Sequence, residues 1–150
     1  MLLEVLEEPS RKVLVFAPFR HSIDAIYQHL TKHNIAAEMI HGNVGVSKRT
    51  KIFKSFQETP EPRVLVIQPQ AASHGVTLTA ADTVVFYGPV MSVETYTQCI
   101  ARSDRIGQNS TSVTVIHLQG SEIERKMFKR LEERVEDHNM LLKLYEEVLK

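Results

Sequence analysis

Gln98, Arg102 and Arg105 are spaced by four and three residues in a segment with a helical pattern, so an amide and two guanidinium groups share one face. A guanidinium is permanently charged and planar. It suits a site where negative charge builds on a transferring phosphoryl group. Two arginines at this spacing are also what a solvated stripe looks like, so position has to decide between the readings. The helix expected over 93–106 starts just past an apolar strand run at 83–87, on the side of an open α/β sheet where ligands usually bind. Ser92 is placed as its N-cap, with Glu94 in the first turn, and Gly107 as its left-handed terminator.

A second candidate is the stretch 69–82, which joins two strand runs without a long helical pattern. Connections of that length in compact domains usually carry function. Arg20, Gly42 and Asn43 lie at or just beyond strand ends and are the better candidates for phosphate contact, whereas Phe16 and Phe56 read as core. Lys48, Arg49, Lys51 and Lys54 make a basic helix, which a solvated face explains equally well. The lone Cys99 reads as a small buried residue rather than a nucleophile. The seven histidines are scattered and accompany no Cys-x-x-Cys or His-Glu-x-x-His pattern, so no metal site is expected.

The elements that would position these residues follow from hydrophobic patterning. Runs rich in Val, Ile, Leu and Phe at 12–17, 63–68, 83–87 and 112–118, and a weaker one at 36–41, predict strands. Continuous apolar runs, rather than alternation, indicate strands covered on both faces. Helical periodicity fills 22–33 and 47–57, and the rhythm of strand and helix predicts a mostly parallel sheet with helices on both faces. From Ser121 onward the pattern is helical, with an interruption expected at Asp137-His138-Asn139, and 1–8 suggests a further short helix.

The chain has 150 residues, 43% of them hydrophobic, enough for one substantial core. Basic and acidic residues number 18 each, so any phosphate contact must come from a local patch rather than a global field. A single cysteine excludes an internal disulfide and suits a reducing intracellular compartment. No run approaches the roughly 18 apolar residues a membrane span needs, and the first residues do not read as a secretory signal.

The string Gln98-Cys99-Ile100-Ala101-Arg102-Ser103-Asp104-Arg105-Ile106-Gly107-Gln108 resembles motif VI of the Swi/Snf-type ATPases of helicase superfamily two. Ala101 and Asp104 depart from the Asp and His usual there. Ala71-Ala72-Ser73-His74-Gly75-Val76-Thr77-Leu78-Thr79-Ala80-Ala81 is similar to motif V, with Ala72-Ser73 in place of a glycine pair and Thr77 in place of Asn. Leu14-Val15-Phe16-Ala17-Pro18-Phe19-Arg20 with Asp24 resembles motif IV, and His41-Gly42-Asn43 with Arg49 and Phe56 resembles the following block. The resemblance covers 12–130, in the family's order.

What it implies is the second, C-terminal lobe of a DNA-dependent ATPase: a three-layer RecA-like α/β domain over 1–150, with a C-terminal helical extension at 121–149. Arg102 and Arg105 would be catalytic, with Gln98, Gly75 and Thr77 near the nucleotide and Arg20, Gly42, Asn43, Gln70 and Ser73 near nucleic acid. The implied cofactor is ATP with magnesium, held mainly by an N-terminal lobe. The implied partners are that lobe and double-stranded DNA, along which the motor would translocate. These 150 residues contain no Gly-x-x-x-x-Gly-Lys-Ser/Thr string and no Asp-Glu-x-His on a strand, so they are expected to be catalytically silent alone.

Two other classes stay open on the sequence. One is a free-standing nucleic-acid or protein interaction module; Gly42-Asn43-Val44-Gly45 satisfies the Gly-x-x-Gly of a KH domain, although KH domains lack this run of buried strands. The other is a Rossmann-type small-molecule domain, disfavoured because no glycine-rich turn follows 12–17.

Overall fold

A computed structural model describes residues 2–8, 11–72, 77–88, 90, 92–103, 113–118 and 122–149, with backbone alone at Ala72 and over most of 138–149. Five strands, β1 (Val13–Phe16), β2 (Ala37–Ile40), β3 (Val64–Ile67), β4 (Thr83–Tyr87) and β5 (Thr114–Leu118), form one sheet in the order β2-β3-β1-β4-β5. Every pairing is parallel, with Val13 opposite Val64 on one side and Thr83 on the other. The three central strands are covered on both faces, which is why Val-Leu-Val-Phe and Val-Leu-Val-Ile run without a polar interruption. The edge strands β2 and β5 are only partly buried and carry Glu38 and His117 within them.

Alternation along each strand sorts its side chains into two layers. Leu14, Phe16, Leu65, Ile67, Val84 and Phe86 face α3 (Val46–Glu58), α4 (Val93–Ala101) and α5 (Glu122–Leu149), where Ile52, Phe56, Tyr96, Cys99, Phe128 and Leu131 meet them. Val13, Val15, Val64, Val66 and Val85 face α1 (Leu2–Val5) and α2 (Arg20–Lys32), against Ile23, Ile26 and Leu30. This division follows from handedness. A right-handed crossover moving one way along the sheet, β1 to β2, puts its helix on the opposite face from crossovers moving back. Phe86 is the hinge of the larger layer: its ring lies 5.6 Å from Phe16, 4.9 Å from Tyr96 and 6.4 Å from Phe128. Each aromatic contact adds roughly 0.5–1.5 kcal/mol to the area it buries.

The helix ends depart from the sequence reading in two places. Ser92 does cap α4, its Oγ accepting from the Thr95 N–H at 3.1 Å. The helix expected to reach 106, however, ends at Ala101. Its last turn tightens, with Arg102 N–H bonding Cys99 O and Ser103 N–H bonding Ile100 O. The second departure is α5, which runs unbroken through the interruption expected at Asp137-His138-Asn139. No Gly or Pro occurs within it, and Asp, His and Asn have helix propensities too slightly unfavourable to stop a helix whose first turns are anchored in a core. No helix among the described residues is long and apolar enough to cross a membrane.

Candidate functional site

Arg102 caps α4 and is nearly enclosed, at 6% exposure. Its Nε donates to the Gln98 carbonyl at 2.8 Å, laying the guanidinium back along the final turn of the helix, where the helix dipole favours positive charge. The carbonyl of Arg102 in turn accepts the Leu78 N–H at 2.8 Å. Leu78 is fully buried and opens the turn that leads into β4, closed by Ala81 N–H on Leu78 O. Gln57, near the end of α3, holds the same turn: its amide donates to Thr79 Oγ1 at 3.1 Å and accepts from Ala80 N–H at 2.6 Å. Sequence patterning gave Gln57 no role, because its bonds are to backbone and hydroxyl groups distant in the chain.

These bonds locate Arg102. α4 begins beyond the C-terminal end of β4 but runs back across the sheet, so Arg102 ends beside the turn entering β4 at its N-terminal end. Nine residues at about 1.5 Å rise cover most of a five-residue strand, which is the physical reason. Gln98 and Thr77 are exposed at this same end of the α3 and α4 layer. Arg105, Gly75 and Ser73 lie outside the described residues. Cys99, one turn before Ser103, is buried, and burial pushes its thiol up to about 12 against the pull of Arg102, which disfavours the thiolate.

A second cluster occupies the C-terminal edge of the sheet. Arg20 follows β1 as the first residue of α2 and pairs with Asp24 at 3.4 Å. Gly42 and Asn43 follow β2, both exposed, and Gln70 follows β3 in a 3-10 turn. Arg49 buckles the loop after β2, donating Nε to Val44 O at 2.9 Å and a terminal nitrogen to His41 O at 2.8 Å. Asn43 N–H donates to His41 Nδ1 at 3.2 Å. Burial, then the positive charges of Arg20, Arg49 and Lys48, hold the His41 imidazole below its usual pKa, while Asp24 opposes. Strand ends from β1 and β2 and the start of α3 therefore bring cationic groups to one edge. A Cβ built on Gly42 would meet nothing within 4 Å, so the bare backbone there is open to close approach.

Beside this cluster a groove of about 990 Å³ runs between α2, the turn after β3 and the starts of α4 and α5, lined by Phe19, Ile26, Gln70, Tyr87 and Met127 among others. Among the described residues no group of three or more His, Cys, Asp or Glu side chains is placed to hold a metal ion.

Residues 1–107 match the model of the helicase conserved C-terminal domain. The chain belongs to that family. Among relatives of this helicase C-terminal domain, the mouse chromodomain-helicase-DNA-binding protein 1-like is 30% identical over 94% of the chain and 16% of its own length. The chromatin-remodeling ATPase INO80 of Emericella nidulans is 30% identical over 94% of the chain and 9% of its own length. An SNF2 domain-containing protein of rice, ENL1, is 29% identical over 85% of the chain and 13% of its own length. The domain thus spans less than a fifth of each of these relatives, and they agree with the Swi/Snf-type resemblance carried by 71–81 and 98–108. The crystal structure of the C-terminal part of the Fun30 ATPase domain superposes with a TM-score of 0.77 over 85% of this chain and 43% of that one, at 22% identity, which shows the shared RecA-like fold.

Proposed function

We propose that this helicase C-terminal domain is the second lobe of a DNA-dependent ATPase that translocates on duplex DNA, closing against an N-terminal lobe that holds most of the nucleotide. The observation that carries the reading is the bond from Leu78 N–H to Arg102 O, which ties the segment resembling motif V to the one resembling motif VI. Bound ATP with magnesium supplies the phosphoryl group whose transfer to water drives the cycle. Toward it the domain contributes the guanidinium groups of Arg102 and Arg105, flanked by Gln98, Gly75 and Thr77. The donor set fits an accessory role, since guanidinium forks supply positive charge to a phosphoryl group.

At the other edge, Arg20, Gly42, Asn43, Gln70 and Ser73 engage the DNA backbone. Only 71–77 separates Gln70 from Leu78, so a shift of the DNA at that edge is passed along a short connection to the backbone of Arg102. Closing the two lobes then places the arginines against charge developing in a water-poor cleft.

The test uses the full-length protein. DNA-stimulated ATP hydrolysis should fall by about 1,000-fold or more on Arg105→Ala, in the range of arginine-finger losses. Arg102→Ala should lower turnover as well, and the 150 residues alone should hydrolyse no ATP. Unchanged turnover in Arg105→Ala removes the arginine assignment.

A further inference from the structure

The end of α2 carries two histidines one turn apart, unrelated to either cluster described above. His29 and His33 are both exposed, with ring centroids 4.5 Å apart and planes inclined at 53°. His33 Nδ1 lies 2.8 Å from the carbonyl oxygen of His29. A carbonyl can only accept, so Nδ1 carries the hydrogen and the lone pair of the neutral ring sits on Nε2. Metal-binding histidines are oriented in this way, one ring nitrogen donating to a backbone carbonyl and the other left for the ion.

The ring separation is within reach of one shared ion. With metal to nitrogen distances of about 2.0–2.1 Å, an ion lies about 3.2 Å from each ring centroid, so rings at right angles about it have centroids about 4.5 Å apart and rings at the tetrahedral angle about 5.2 Å. The observed 4.5 Å lies within the span that two imidazoles on one ion require. Imidazole suits Cu(II), Ni(II) and Zn(II), and the affinity order for divalent ions at a nitrogen site places Cu(II) first. The site also lies where a cation is favoured, at the negative end of a helix that terminates at Lys32 with His33 as its cap.

We propose that His29 and His33 form a two-point chelate for a divalent transition metal of the Cu(II) and Ni(II) class, with water in the remaining positions. The ion clips the last turn of α2 and stands at the rim of the apolar groove, which His29 helps to line.

Ni(II) titrated calorimetrically into the purified 150-residue protein should show one saturable site per chain. His29→Ala and His33→Ala should each weaken it by about tenfold or more, because either change turns a chelate into a single ligand. His21→Ala, an exposed histidine two turns earlier on the same helix, should leave it intact. The Cu(II) complex should show electron paramagnetic couplings from two imidazole nitrogens. Unfolding midpoints in the absence of metal should be the same in all variants, since the three side chains are exposed. Absence of a saturable Ni(II) site, survival of that site in either alanine variant, or coupling to a single nitrogen overturns the proposal.

Discussion

Leu78 N–H donates to Arg102 O across 2.8 Å, so the turn entering β4 and the C-cap residue of α4 are one hydrogen-bonded unit. The Leu78 side chain is fully buried beneath that bond. Leu78→Ala keeps the N–H but opens a cavity under the unit, and should cost about 2–5 kcal/mol of stability, read from the urea unfolding midpoint. A cost near zero would mean that the turn is not anchored by its side chain.

Gln57 supports the same turn from α3, serving Thr79 and Ala80 with the two ends of one amide. Gln57→Leu removes both bonds and leaves a backbone N–H unmet, an expected loss of about 1–3 kcal/mol. Gln57→Glu keeps an acceptor for Ala80 N–H and should cost less. Denaturant titration of the two variants checks the order, and a reversed order would show that placing a carboxylate there costs more than its bond to Ala80 N–H returns.

Arg49 and Arg20 should affect DNA binding differently. The guanidinium of Arg49 donates to two loop carbonyls, so it positions the segment 41–44. Arg20 stands half-exposed at the sheet edge, and in the proposed function it meets a phosphate directly. In the full-length protein, Arg20→Ala should reduce the slope of log affinity against log salt by about 0.9, one phosphate contact. Arg49→Ala should weaken binding with little change in slope. Fluorescence anisotropy over a salt series distinguishes the two, and equal slope changes would make Arg49 a contact residue too.

The extent to which the sequence disclosed these features depends on how local their causes are. β1 and β3 were legible because strands buried on both faces need unbroken Val, Leu, Ile and Phe, and α2 and α3 because their apolar residues recur at helical spacing. Arg20, Gly42, Asn43 and Gln70 could be grouped because parallel strands bring all their C-terminal ends to one edge. The place of Arg102 was not legible, since it depends on α4 running back across the sheet and on a carbonyl bonded by Leu78. The roles of Gln57 and Arg49 were hidden for the same reason: they are set by backbone partners that no side-chain periodicity marks.

Phe128 decides whether α5 belongs to this core. It is 2% exposed, stacks on His117 at 4.0 Å and meets Phe86 edge-on at 6.4 Å, with Leu131 buried one turn later. Phe128→Ala should cost about 3–5 kcal/mol and lower the whole unfolding transition rather than release α5 alone. Two separated transitions in calorimetry would instead mark α5 as an independently melting extension.

His117 should make the stability of the domain depend on pH. Its Nε2 lies 2.8 Å from Tyr96 Oη on α4, and its Nδ1 lies 3.4 Å from Glu132 on α5. Burial pushes the Tyr96 hydroxyl up to about 12, with Glu132 adding to the shift, so it stays protonated at every working pH and can donate to Nε2. That leaves the hydrogen of the neutral ring on Nδ1, facing the carboxylate. Burial lowers the His117 pKa below its ordinary 6.5, and Glu132 only partly opposes it. The folded state therefore takes up this proton less readily than the unfolded chain, and stability rises with pH wherever the unfolded chain holds more protons. The contribution is complete above the unfolded value of 6.5 and is lost as pH falls below it toward the folded value. His41 is lowered as well, chiefly by burial, and adds a loss of the same sign. Urea midpoints should fall between pH 7 and pH 5; His117→Gln should shrink that fall, and adding His41→Gln should shrink it further. An identical pH dependence in wild type and His117→Gln would show that His117 takes up its proton as easily in the folded domain as in the unfolded chain.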